Sequence, residues 1–293
     1  MARFLAHLFA AVLALAAAPV LAAPIDTGHL EAELVAQTRS IAPGRTVHVA
    51  LRQKIDKGWH TYWRNSGDSG EPTTIAWTLP PGWKAGDIVW APPHRQPIGP
   101  LMNYGYADEV LLPVAITAPA DATPGQTVTL AAKANFLVCE EICVPEEASL
   151  TLALQVLADA PQPNPRWGPA IDAALAAAPK PADLAASFAV QGTALKLAVV
   201  GSPLKGLDLA DAYFFPFDGS AIDHAKPQAI ERGADGLTLT IVPGFGFMSP
   251  NPPTELAGVL AVAGRNYEIR AKQGALPAAA AGLGPPAAKA SGG

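Results

Sequence analysis

The chain of 293 residues is long enough for about two domains with real apolar cores. Half of it is hydrophobic and it carries 30 prolines and 26 glycines, which excludes a disordered chain and favours short strands joined by turns. A net charge of −5 excludes a nucleic-acid binder held by a basic patch, and two cysteines exclude a disulfide-dense scaffold and a four-cysteine zinc site.

Residues 1–22 read as a cleaved secretory signal. Arg3 supplies the basic start, Leu8 to Leu21 is an almost unbroken apolar run too short for a comfortable membrane span, and Val20-Leu21-Ala22 ends it on small residues. Export would place the two cysteines where disulfides persist. The next segment, 24–158, alternates with period two. Thr46-Val47-His48-Val49-Ala50-Leu51, Thr127-Val128-Thr129-Leu130-Ala131 and Ser149-Leu150-Thr151-Leu152-Ala153-Leu154 are its clearest strands. Turn signals such as Ala42-Pro43-Gly44, Pro80-Pro81-Gly82 and Thr123-Pro124-Gly125 separate them. The expectation is an all-β chain whose first domain is an immunoglobulin-like β-sandwich. Residues 159–183 form a proline-rich linker with a short helix from Trp167 to Ala178, stopped by Pro179, and a protease is expected to cut there. Alternation returns in 184–272, read as a second, smaller β domain. The Ala/Pro/Gly-rich segment 273–293 reads as a disordered tail.

The feature that points to chemistry is Cys139-Glu140-Glu141-Ile142-Cys143. An extended strand would hold the two Cα atoms about 13 Å apart. A disulfide needs them within about 7 Å, so the chain must turn between them, by a three-residue hairpin loop or by one helical turn. Both place the pair at a loop tip within a partner's reach. A bridge over so short a loop contributes only about 2 kcal/mol by chain entropy, a weak reason for a purely structural bond. The spacing alone leaves redox and structural roles open. Glu140, Glu141, Glu146 and Glu147 surround the pair with negative charge, which disfavours thiolates and biases the couple toward the reducing side.

Other motifs carry blander readings. Gly67-Asp68-Ser69-Gly70 has the look of a serine-protease nucleophile segment, but Ser69 follows His60 too closely and the run reads as a polar turn. Trp59-His60-Thr61-Tyr62-Trp63-Arg64 reads as an aromatic strand with one core face and one contact face. A Cu(I) site could combine Cys139, Cys143, Met102 and His60 or His94, although no Met/His cluster supports it.

Three segments together resemble the N-terminal periplasmic domain of the DsbD/ScsB thiol:disulfide interchange family, closer to its ScsB branch. They are the run from Gly58 to Gly70, the run from Pro97 to Tyr106, and the run from Phe136 to Glu146. The resemblance implies an immunoglobulin-like domain in the periplasm that takes electrons from a membrane-embedded donor domain, on the same or a separate chain, and passes them to thioredoxin-fold proteins. It implies Cys143 as the sulfur that forms the mixed disulfide, Cys139 as the resolving sulfur, and no metal or organic cofactor. It also implies a cap over the pair near Tyr104 and Gly105, with Tyr62 and His60 as further cap or partner contacts. This chain departs from the family pattern at Leu101-Met102-Asn103, where an acidic-aromatic cap is usual. It departs again in ending on a linker-like tail where relatives continue into membrane helices and a thioredoxin-like domain.

Overall fold

The computed structural model describes residues 23–287, so the expected signal segment 1–22 and the last six residues lie outside it. Twelve strands precede the helix. They are β1 (Ile25–Asp26), β2 (Leu30–Ala36), β3 (Ser40–Ile41), β4 (Thr46–Ile55), β5 (Thr61–Gly67) and β6 (Thr74–Thr78). After them come β7 (Lys84–Ile88), β8 (His94–Ile98), β9 (Leu101–Tyr106), β10 (Glu109–Thr117), β11 (Thr127–Cys139) and β12 (Cys143–Val156). One sheet runs β1-β2-β4-β10-β7 and a second runs β3-β12-β11-β6. Alternation sets their inner faces: Val47, Val49 and Leu51 of β4 meet Leu130, Ala132, Ala134 and Phe136 of β11 in one apolar core. A third sheet, β5-β9-β8, joins the second where His60 and Cys139 form an isolated antiparallel bridge.

The helix α1 (Gly168–Ala177) ends before Pro179 as the sequence predicts. It lays Ile171 against Val35 and Ala50 on the outer face of the first sheet. The proline-rich linker before it lies on the sandwich. Arg39 N donates to Gln162 O at 3.0 Å and Asn164 N donates to Gln37 O at 2.9 Å, so the segment is strapped to the sandwich.

Eight strands follow: β13 (Lys180–Pro181), β14 (Ala185–Gln191), β15 (Ala194–Val200), β16 (Tyr213–Pro216), β17 (Ala229–Arg232), β18 (Gly236–Ile241), β19 (Glu255–Val262) and β20 (Arg265–Gln273). They form one curved sheet in the order β16-β19-β20-β14-β15-β18-β17, with β13 beside β20, around a core that includes Phe188, Leu197, Phe214, Leu239 and Leu260. Among the described residues the fold is all-β with one short α-helix.

Two sequence expectations change here. The described part of the supposed tail packs: Ala280 is buried, Thr238 Oγ1 donates to Ala280 O at 3.0 Å, and Gly282 bridges Gly233. Small residues let that backbone lie flat on β17 and β18, where a bulky chain would be held off. The C-terminal sheet is also not a separate bead. Tyr213, Phe215 and Val259 belong to the same apolar core as Trp63 and Tyr104 of the sandwich.

Candidate functional site

β11 and β12 form one long hairpin paired in register from Thr127↔Gln155 to Cys139↔Cys143, so the three residues between the cysteines make the loop of a tight turn. The two sulfurs are joined in a disulfide with the Cα atoms 4.1 Å apart. The two cysteines differ in access. Cys139 is fully buried, breaking the in-out alternation of β11 because the backbone of His60 covers it: His60 N donates to Cys139 O at 2.9 Å and Cys139 N donates to His60 O at 3.0 Å. Cys143 is exposed. Ile142, between them, is 67% exposed and is the apolar tip of the loop.

Behind Cys143 lies Tyr62, fully buried, with its hydroxyl 3.7 Å from Cys143 Sγ. His60 Nε2 is 3.2 Å from the same hydroxyl. Burial lowers the pKa of His60 below its ordinary 6.5 and raises that of Tyr62. Both are therefore neutral near pH 7. In the consistent arrangement His60 donates its Nε2–H to the Tyr62 oxygen, and the Tyr62 O–H donates to sulfur. Two glycines make room. A Cβ on Gly70, at φ +93°, would lie 2.2 Å from the Tyr62 ring, and one on Gly105 would lie 1.9 Å from Thr61 O.

His60 makes the site acid-sensitive. The folded chain holds it neutral, while the unfolded chain protonates it in the ordinary imidazole range. Stability is present above that range and is lost as the pH falls through it. His48, also lowered by burial, adds to the same trend. The denaturant midpoint is expected to fall between pH 7.5 and pH 5.5, and His60→Gln is expected to flatten part of that slope. An unchanged slope in the variant would remove His60 from the account.

The acidic surround is thinner than the sequence suggests. Glu146 turns inward, its Oε1 2.5 Å from His29 Nδ1, and also accepts hydrogen bonds from Thr27 Oγ1 and from His29 N. Trp59 stacks on the His29 ring with centroids 3.7 Å apart. Glu147 pairs with Lys133 at 2.8 Å. Glu140 and Glu141 remain exposed at the tip.

The expected cap and contact residues are placed differently. Tyr104, Gly105, Tyr62 and His60 are all buried, so none is a surface contact in this disulfide form. Tyr62 and His60 support the sulfur from below, and Gly105 pairs with Tyr62. Tyr104 bonds its hydroxyl to Tyr213 and His224 of the C-terminal part. The hairpin covers the aromatic strand at Tyr62 and the C-terminal sheet covers it at Trp63, while Arg64 stays exposed. Gly67 to Gly70 is a turn in which Ser69 N and Oγ both donate to Asn103 Oδ1 at 3.1 Å. Sequence reasoning missed Ile142, although an apolar residue inside an otherwise acidic three-residue loop was a usable signal. Among the described residues no group of three or more His, Cys, Asp or Glu side chains could hold a metal ion, and no helix is long and apolar enough to cross a membrane.

Residues 30–155 match the family described as thiol:disulfide interchange protein DsbD, N-terminal. They form a DsbD/ScsB-type N-terminal domain. The chain is similar in fold to the N-terminal periplasmic domain of ScsB from Proteus mirabilis, at 19% identity and a TM-score of 0.62, covering 84% of this chain and 95% of that one. That likeness extends beyond the DsbD-type domain into the C-terminal sheet. A protein of unknown function from Porphyromonas gingivalis W83 aligns at 14% identity over 84% of this chain and 100% of its own, but its TM-score of 0.28 carries no argument. No curated protein matches the chain by sequence. The DsbD-type domain and its Cys139–Cys143 disulfide make the chain a thiol-disulfide exchange module in outline.

Proposed function

We propose that the chain works in the periplasm, that Cys143 exchanges disulfides with thioredoxin-fold proteins, and that Cys139 resolves the mixed disulfide. We further propose the division into a redox domain at 24–158, a connecting segment at 159–183 and a supporting β domain at 184–272. The observation that carries the reading is the asymmetry of the pair: Cys143 is an exposed residue beside an apolar tip, and Cys139 is buried against its strand partner.

The chemistry follows from that asymmetry. Starting from the dithiol, the Cys143 thiolate attacks one sulfur of a partner disulfide. An intermolecular S–S bond forms and the partner's other sulfur leaves as a thiolate. The Cys139 thiolate then attacks Cys143 Sγ. The intermolecular bond breaks, the internal disulfide forms, and the partner departs as a dithiol with two electrons and both protons. A donor dithiol attacking Cys143 Sγ runs the sequence backward and recharges the pair. That donor is a membrane-embedded domain, on this or a separate chain. Tyr62 favours the thiolate by donating its O–H to the Cys143 sulfur, and His60 orients Tyr62. No cofactor takes part.

The test is trapping. Cys139→Ala, mixed with an oxidised thioredoxin-fold protein, is expected to accumulate a mixed disulfide at Cys143, while Cys143→Ala accumulates none. The reversed pattern would overturn the assignment of roles, and no adduct in either variant would overturn exchange itself.

A further inference from the structure

β5 carries residues for two different neighbours. His60, just before it, and Tyr62 face the disulfide. Trp63 and Asn65 face the C-terminal sheet: the Trp63 ring meets Phe215 edge-on at 6.3 Å, and Asn65 Nδ2 donates to Pro216 O at 2.8 Å. β9 does the same. Gly105 pairs with Tyr62, and one residue earlier Tyr104 turns to the C-terminal sheet, 4.9 Å from Phe215. A single backbone step on each strand therefore separates the sulfur contact from the contact with the other half of the molecule.

The joint is polar at its centre, and its hydrogen bonds are directional. His224 Nε2 lies 2.8 Å from Gly219 O, a carbonyl that can only accept, so Nε2 carries a proton, and in that tautomer Nδ1 is an acceptor. Tyr104 O–H donates to that Nδ1 at 3.0 Å. Tyr213 O–H donates to the Tyr104 oxygen at 2.8 Å, and Arg95 sits over the Tyr213 ring at 4.9 Å. Apolar packing alone would let the two halves slide on one another. A buried chain of three directed bonds fixes one seating, because any other leaves a buried polar atom unpaired.

We infer that the C-terminal sheet tunes the exchange sulfur, with Tyr104, Tyr213 and His224 acting as positioning residues that hold β5 and β9 so that the Tyr62 hydroxyl stays on Cys143. This deepens the proposed function, since it rests on Cys143 being the reacting sulfur. It assigns the C-terminal half a role beyond enlarging the protein: the sandwich supplies the cysteines, and the other sheet sets their surroundings.

The experiment uses the full chain in a Cys139→Ala background, so that Cys143 is the lone thiol and no partner is needed. Its alkylation rate by iodoacetamide is followed from pH 6 to pH 10. Tyr104→Phe and Tyr213→Phe keep the rings and remove the bonds. Each is expected to slow alkylation at pH 7 about fivefold, the effect of one hydrogen bond of typical strength, and to move the profile to higher pH. With Tyr62→Phe already present, neither should slow it further. Leu239→Ala, in the C-terminal core away from the joint, is the structural control and should lower the melting temperature without moving the profile. Should Tyr104→Phe fail to fold, Tyr213→Phe carries the test. An unmoved profile in a folded joint variant, or an equal further slowing on top of Tyr62→Phe, would overturn the inference. Loss of partner exchange with the expected thiol profiles would leave this inference standing and overturn the proposed function instead.

Discussion

Gly105→Val is expected to cripple the DsbD-type domain while leaving the rest of the fold assembled. The added Cβ would sit 1.9 Å from Thr61 O, far inside contact distance, and the atom it meets is a backbone carbonyl in a paired strand. Neither side can yield without parting β9 from β5. Overpacking of this kind costs about 1–3 kcal/mol or more, and at roughly 2–4 °C per kcal/mol in a protein of this size the melting temperature should drop by several degrees. Exchange should suffer beyond that drop, because Tyr62 rides on the displaced strand. Gly86→Ala is the matched control, since its Cβ meets Ala115 at an ordinary 3.6 Å. Equal behaviour of the two variants in calorimetry and in exchange would show that the close strand approach at Gly105 does not matter.

Tyr62→Phe is expected to slow the reaction of Cys143 about tenfold below its thiol pKa. A hydrogen bond from a neutral donor to a charged acceptor contributes about 1.5–3 kcal/mol at good geometry. The 3.7 Å separation favours the low end, and one pKa unit corresponds to 1.36 kcal/mol. The ring fills the same space against Gly70, so melting should change little. Alkylation profiles of the reduced protein read the effect directly. A variant within twofold of the parent at every pH would show that the hydroxyl does nothing for the sulfur.

The strands and the helix were legible where period decided them. Val47 to Leu51 and Leu130 to Val138 alternate against the sandwich core, Leu237 to Ile241 alternates against the C-terminal core, and α1 stops where Pro179 forbids continuation. The cysteine turn was legible from distance alone, although hairpin and helix stayed open until the Cys139↔Cys143 pairing decided it. What stayed hidden depended on long-range contacts. Glu146 looks like one more acid beside the cysteines, but its partner His29 is 117 residues away in sequence. Tyr104 sits in a segment that invites comparison with a cap, but a residue 109 positions later claims its hydroxyl. The alanine-rich end looked unable to pack because its few bulky groups were counted, whereas small size is what lets it lie against Gly233 and Thr238.

The hairpin that presents the cysteines has a consequence for repeated use. Its ladder runs without interruption from Thr127 to Cys139, and the strand opposite returns through Val156, so the sulfur bond closes a gap the backbone has already closed. Opening that bond frees no loop longer than the three-residue turn that the ladder already holds. Storing and surrendering an electron pair is thereby decoupled from folding and unfolding. A protein built this way can be oxidised and reduced many times over without passing through a loosened state in which it would be vulnerable to proteolysis or aggregation.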